Sequence, residues 1–201
     1  MVNSVNSNKG FYVARYEASK NNDLTKAQSK RNQDVWINIS QLDAITKSAN
    51  YNTKLHSHLM YGIEWDSILN WLNGNAKIST STSTTTNIER KIMDKNDLQK
   101  NASSWGNYSD STGDAKTNNG SKQTTGKSEY WKANNIYDLA GNVIEWTQEK
   151  WSTGADRTVR GGGYFFDLGD SSAAAYRHGD VESYGDNSRY YGYGFRASFY
   201  L

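Results

Sequence analysis

Most of the large apolar surface in this sequence is aromatic, and that constrains its fold more than any other feature. Seven Trp, 14 Tyr and 5 Phe occur among 201 residues of which only 35% are hydrophobic. Much of the buried area must therefore come from rings, each of which carries enough area for a modest number to form a core. The length suits one sizeable domain and is short for two, so residues 1–201 are expected to form a single domain. Lys and Arg number 23 against 21 acidic residues, and no Lys follows Lys150. With no basic stripe, a nucleic-acid partner is not expected. The absence of Cys excludes a disulfide, a thiolate nucleophile, Cys-ligated zinc and an iron–sulfur cluster. No run approaches the ~20 apolar residues of a membrane span, so membrane insertion is not expected. The opening MVNSVNSNKG has no apolar signal-peptide core. Export information is expected to precede Met1 in the native protein.

Along the chain, Phe11 to Ala18 is rich in strand formers and reads as an opening β-strand. A polar connection runs from Ser19 to Asp34. Ser40 followed by Asp43 reads as a helix cap, and Leu42, Ile45 and Ala49 would share one face of the short helix it starts. A second helix fits Glu64 to Leu72, where Trp65, Ile68, Leu69 and Leu72 recur at helical spacing, with Gly74 as its stop. Residues 75–130 are dominated by Ser, Thr, Asn, Lys and Gly. They read as a long, polar, loop-rich surface insert with one or two short elements, anchored by Trp105 and Tyr108. Two strand-like runs follow, Val143 to Gln148 and Thr158 to Phe166. Gly194 to Leu201 reads as a closing strand able to pair with the opening one.

The blocks FYVARYEAS, GIEWDSILNWL, NIYDLAGNVIEWT, RGGGYF and GFRAS together resemble the formylglycine-generating-enzyme (sulfatase-modifying factor) branch of the C-type lectin fold. The resemblance implies an α+β fold with two helices, paired terminal strands and much irregular structure. Fold does not settle function. Oxidase members of that family use copper-binding cysteines, and this chain has none. Related iron-dependent sulfoxide synthases use a His-x3-His-x-Glu set from a partner domain. His56, His58 and His178 do not have that spacing, although a His-x-His pair on a strand points both rings to one face. Sugar-binding C-type lectins use proline-containing calcium motifs, and this chain has no Pro. No cofactor is required by this reading. Family resemblance does imply a structural calcium held by Gly141, Val143 and Glu145, against the plainer reading that Glu145 makes a buried hydrogen bond or ion pair.

A second group with this fold, which the chain also resembles, is the variable proteins of diversity-generating retroelements. Those systems replace bases at template adenines, usually in Asn codons. Changing the two adenines of AAC or AAT cannot produce Glu, Lys, Gln, Met or Trp. These five types fill 37 of residues 1–163, but only Glu182 among the 30 residues from Tyr164 to Tyr193. The same window holds six Tyr, four Asp and four Ser, a composition that suits a binding surface of rigid rings and adaptable hydrogen bonds. Arg160-Gly161-Gly162 and Gly194-Phe195-Arg196 bracket it as framework, and Ala173, Ala174, Ala175 and Arg177 read as scaffold within it. The contact residues expected from this pattern are Tyr164, Phe166, Asp167, Asp170, His178, Asp180, Tyr184, Asp186, Asn187, Tyr190, Tyr191 and Tyr193.

The function expected is a non-enzymatic receptor-binding domain on a phage virion or bacterial cell surface, with a cell-surface protein or glycan as ligand. Two alternatives stay open. One is a fixed-specificity structural or adhesion module of a tail or surface fibre, making homotypic contacts as a homo-oligomer. The other is a catalytic relative of the oxidases.

Overall fold

The computed structural model describes residues 6–7, 10–22, 24–51, 54–73, 77–81, 87–91, 98–116, 120–152, 156–166, 171–181 and 192–200. For 77–81, 87–91, 114 and 181 it describes the backbone alone. Among these residues the architecture is mixed α/β, with two helices and four small sheets. The strands in chain order are β1 (Tyr12–Val13), β2 (Ser19–Lys20), β3 (Ala27–Gln28), β4 (His56–Leu59), β5 (Lys77–Ser81), β6 (Asn87–Lys91) and β7 (Lys132–Ala133). They continue with β8 (Ile136–Tyr137), β9 (Ile144–Lys150), β10 (Asp156–Arg160), β11 (Arg177–Val181), β12 (Tyr193–Phe195) and β13 (Ala197–Tyr200). The helices are α1 (Gln41–Ala49) and α2 (Gly62–Leu72).

The opening and closing strands do pair: β1 runs antiparallel to β13, with Tyr12 opposite Phe199, and β4 covers the other edge of β13. The closing segment is two strands rather than one. Its first part, β12, lies parallel to β9 at the end of a four-stranded sheet ordered β11-β10-β9-β12. The chain changes sheets at Arg196, between Phe195 and Ala197. The strand run expected over Thr158 to Phe166 ends at Arg160. Gly161 and Gly162 turn the chain off the sheet at φ +84° and +70°, a region glycine enters without steric cost. Ser19 to Asp34 is likewise more than a connection, since β2 and β3 pair within it.

Ser40 caps α1 as its sequence suggests, its Oγ accepting the Asp43 N–H at 3.0 Å. The expected apolar face is wrong. Leu42 is 66% exposed, while Gln41, Ala44 and Ser48 are buried. A polar side chain can hold a buried position when its hydrogen bonds are met. Gln41 Nε2 donates to the Thr147 carbonyl at 2.6 Å, and its Oε1 accepts from Arg157 Nε at 3.2 Å. Helix α2 starts at Gly62, two residues before the expected Glu64, because the Glu64 carboxylate accepts the Tyr61 N–H at 2.9 Å and closes its first turn. Trp65, Ile68, Leu69 and Leu72 are buried as their spacing predicts. The helix ends at Leu72 with Asn73 as its cap, and Gly74 lies outside the described residues.

The insert is not simply surface loop. β5 and β6 form a hairpin that joins β7 and β8 in one sheet. Leu98, Ala102, Trp105 and Tyr108 lie fully inside the first hydrophobic cluster, against Trp65 and Leu72 of α2. A second cluster gathers Ile39, Leu59, Ile144, Trp146, Val159 and Phe195 between α1 and the sheets. Buried rings keep their polar atoms satisfied. Trp65 Nε1 donates to Ala174, Trp131 Nε1 to Ala115, Trp146 Nε1 to Ile39 and the Tyr108 hydroxyl to Gly161, each at 2.8–3.0 Å.

Around Arg196 the interior is acidic. Its guanidinium contacts both oxygens of Glu145 and the carbonyls of Ala14, Tyr137 and Asp138. Glu17 and Asp138 are also buried nearby. Burial holds Glu17 well above the usual carboxylate range, with Asp138 and Glu145 adding to it. Burial pushes Asp138 up to about 7, although the Gly126 N–H and the Arg196 charge pull the other way. Asp138 Oδ1 has no hydrogen-bond partner. A carboxyl with a raised folded-state pKa favours the protonated fold. Its contribution is fully present below the unfolded value of about 4 and is lost as pH rises through about 7.

Thermal melts across pH should therefore show stability falling between pH 5 and pH 8. Asp138→Asn should flatten that fall and gain about 1–3 kcal/mol at pH 8. The amide keeps an acceptor for Gly126 and tolerates the positive φ of 56° at this position. A variant as pH-sensitive as the parent would show that Asp138 is not the titrating group.

Candidate functional site

The C-terminal segment is carried by the β9–β10–β11 part of the four-stranded sheet. Val159 pairs with His178 and Arg160 with Arg177 across β10 and β11. Charges lock the strands to one another and to α2. Glu149 of β9 takes Arg177 on Oε1 at 2.6 Å and Arg160 on Oε2 at 3.2 Å. Arg160, itself almost fully buried, extends at 2.8 Å to Asp66. The Arg177 guanidinium also lies over the Trp151 ring, 4.5 Å from its centroid.

On this frame sits an unbroken row of rings. Tyr164 meets Phe165 at 5.1 Å, Phe165 meets Phe166 at 4.8 Å, and Phe166 meets Tyr176 at 5.0 Å, all edge to face. Tyr176, just before β11, and His178 within it are stacked at 6.1 Å with their planes 4° apart. His178 then meets Trp151 at 6.0 Å. Phe165 is 40% exposed and Trp151 and His178 are open to solvent, whereas Phe166 also packs against both core clusters. The row thus runs from half-buried Tyr164 through exposed Phe165 and the half-buried pair Phe166 and Tyr176 to exposed His178 and Trp151.

Of the contact residues expected from the sequence, Tyr164, Phe166 and His178 belong to this row. Asp180 and Tyr193 form a separate pair: the Tyr193 hydroxyl donates to Asp180 Oδ2 at 2.5 Å, linking β12 to β11 across the sheet. Tyr193 is half-buried, with its ring edge-on to Trp146 at 5.2 Å, so it has a framework contact that the sequence pattern does not reveal. Asp167, Asp170, Tyr184, Asp186, Asn187, Tyr190 and Tyr191 lie outside the described residues. Ala173 and Ala174 are fully buried, as scaffold residues would be, and Arg177 is bound to Glu149. Phe165, Tyr176 and Trp151 are the rings sequence reasoning left out. Trp151 precedes the compositional window, and only its contact with His178 reveals it.

Gly141, Val143 and Glu145 each engage a different internal partner. Glu145 receives Arg196 on both oxygens, at 2.6–3.0 Å. A guanidinium thus holds the place a cation would need, and the carboxylate does not fit the role of a calcium ligand. The Val143 N–H donates to Glu17 at 3.1 Å, and the Gly141 N–H to Gly161. Gly141 could not carry a side chain, because a Cβ would strike the backbone of Asn107. No cluster of three or more metal-ligating His, Cys, Asp or Glu occurs among the described residues. His56 and His58 lie two apart on β4, and His58 Nε2 is engaged by Glu64 at 2.9 Å and Ser198 at 2.9 Å.

The sheets, the irregular core and the buried arginine–carboxylate pair draw on segments spread over nearly the whole chain. Residues 7–198 match the family of Sulfatase-modifying factor enzyme 1-like domains, and the chain belongs to that family. No curated protein matches the sequence.

Gly179 lets the row close at its outer end, since a Cβ there would penetrate the Trp151 ring. Gly179→Ala should lift that ring off β11 and break its contacts with Arg177 and His178. The expected result is a red-shifted tryptophan emission with a stability loss of about 1 kcal/mol. An unchanged emission spectrum would mean that the ring does not rest on Gly179.

Proposed function

We propose that this chain is a non-enzymatic ligand-binding module of C-type lectin fold, whose contact face is the aromatic row and the segment around it. The observation that carries the reading is the row itself: six rings in continuous contact, with Phe165, His178 and Trp151 exposed, beside strands fixed by Glu149 and two arginines. Aromatic groups with few rotatable bonds lose little entropy on binding and offer large area, which is how anchors in binding surfaces act. Histidine and tyrosine tips at the same place supply hydrogen bonds. The lack of Cys removes the nucleophiles on which the family's oxidases rely.

Composition supports a further step. Types unreachable from Asn codons by adenine replacement fill 37 of residues 1–163 and one of the 30 that follow. We read the segment 164–193 as diversified, and the protein as a retroelement variable protein displayed on a phage virion or bacterial surface, taking a protein or glycan ligand. Sequencing codons 155 to 201 across the natural population tests this directly. Substitutions confined to adenine-derived positions within 164–193 are expected. A uniform segment would remove the diversification and leave a module of fixed specificity.

The contact face has its own test. The combined variant Tyr164→Ala, Phe165→Ala and His178→Ala should weaken binding to a ligand captured from the host surface by at least about tenfold, or about 1.4 kcal/mol. Each single change should move stability by about 1 kcal/mol or less. Tyr193→Phe, which removes the bond to Asp180, should instead cost about 1 kcal/mol of stability. Parental affinity in the triple variant would sink the assignment.

A further inference from the structure

A second face of the molecule, sharing no residue with the aromatic row, has the properties of a peptide-docking edge. In the sheet ordered β1-β13-β4, β1 is an edge strand. Ala14 donates its N–H to Ala197 at 2.9 Å, in register with Tyr12 opposite Phe199. By the alternation of an antiparallel ladder, the intervening Val13 turns its N–H and C=O away from β13. Arg15, which points the same way, has its carbonyl taken by the Tyr137 N–H of β8 at 2.9 Å. One step earlier the strands part. There a cleft of about 950 Å³ opens between β1, the outer side of α2 and the β7–β8 hairpin.

The floor of this cleft is apolar: Phe11, Val13, Ile68 and Ile136. Its walls include Tyr12 and Trp71, both 52% exposed, a high value for rings of this size. The rim carries Arg15, Lys132 and the hairpin-tip amides of Asn134 and Asn135. Among the described residues no carboxylate lines the cleft. Lys132 is partly compensated by Glu129 at 2.8 Å, but Arg15 is exposed and forms no ion pair among the described residues. An unpaired strand edge accepts an added strand through its main-chain groups, and alternate side chains then read the adjoining pockets.

We infer that this cleft docks an extended acidic peptide segment of a partner protein, which pairs with β1 at Val13. Apolar side chains of the peptide enter the floor beside Trp71, and its carboxylates face Arg15 and Lys132. Charge argues against self-occupancy by the start of the chain, because residues 1–9 contain no Asp or Glu.

The test uses the full chain labelled with ¹⁵N and the acetylated, amidated hexapeptide Glu-Val-Glu-Val-Glu-Val. The peptide should shift the Trp71 indole signal and slow exchange of the Val13 amide by about tenfold or more. Arg15→Ala and Trp71→Ala, both at exposed positions, should each weaken binding by about tenfold while the melting temperature holds. The Lys-Val counterpart should bind at least about tenfold more weakly, and the gap should narrow in 0.5 M salt. Equal binding of the two peptides would overturn the charge argument. A Val13 amide already protected in the free protein would overturn the open edge, and protection that grows with protein concentration would assign it to a second copy of the chain. An oligogalacturonate that shifts Trp71 where the acidic peptide does not would make the cleft a saccharide site instead.

Discussion

The chain leaves one sheet and enters another at Arg196, and the side chain at that crossing binds nearly everything around it. Its guanidinium takes both oxygens of Glu145 on β9 and the carbonyls of Ala14 beside β1 and of Tyr137 and Asp138 at the end of β8. A buried charge is costly unless its hydrogen bonds are met, and removing one partner of such a pair costs about 3–5 kcal/mol. The planar guanidinium meets that demand with a forked carboxylate contact and three carbonyls, a geometry lysine could not reproduce. The first and last strands, the four-stranded sheet and the β8 turn therefore share one electrostatic centre. Glu17 reaches the same region from the other side, accepting Asn142 at 2.6 Å and Val143 at 3.1 Å.

Three carboxylates beside one guanidinium leave an excess of negative charge; burial raises the pKa values of Glu17, Asp138 and Glu145, and repulsion from neighbouring carboxylates adds to the rise at Glu17 and Asp138. The interior resolves the excess by holding protons. This arrangement ties stability to pH, but it also fixes backbone groups in segments with no ladder of their own. Asn142 bridges three such segments: its Oδ1 accepts from Asn107 and the Gln123 N–H, while its Nδ2 donates to Glu17. Irregular structure here is held by side chains doing what strand ladders do elsewhere.

That difference separates what the sequence discloses from what it conceals. Helix α2, the capped start of α1 and β9 follow from periodicity and cap chemistry, which are local, whereas the pairing of the terminal strands is what the family resemblance implies. The buried face of α1 does not, because Gln41 owes its burial to Thr147 and Arg157, more than a hundred residues away. Trp105 and Tyr108 could be named as anchors from their size, yet no periodicity in the polar tract could show that Leu98 and Ala102 join them in the core. At the candidate site, composition marks a window and so finds Tyr164, Phe166 and His178. It cannot separate Tyr193, which braces Trp146, from rings that face outward, and it cannot reach Trp151, which enters the row only through the fold.

The frame and the contact row also draw on different parts of the structure. Arg196, Glu145, Glu149 and Arg160 hold strands together through groups on β9, β10 and the β12–β13 junction, and none of them belongs to the row. Tyr164 at one end of the row and His178 near the other lean on neighbouring rings. Phe166 alone reaches both core clusters. Exchange at the ends removes ring contacts worth about 0.5–1.5 kcal/mol each, whereas exchange at Arg196 strands a buried carboxylate. On the reading proposed for this face, the contact groups Tyr164, Phe165 and His178 sit where loss is small, and the charges of the frame sit where loss is large. Substitution at Tyr164, Phe165 or His178 thus leaves in place the contacts by which Arg196 and Glu149 hold the strands beneath them.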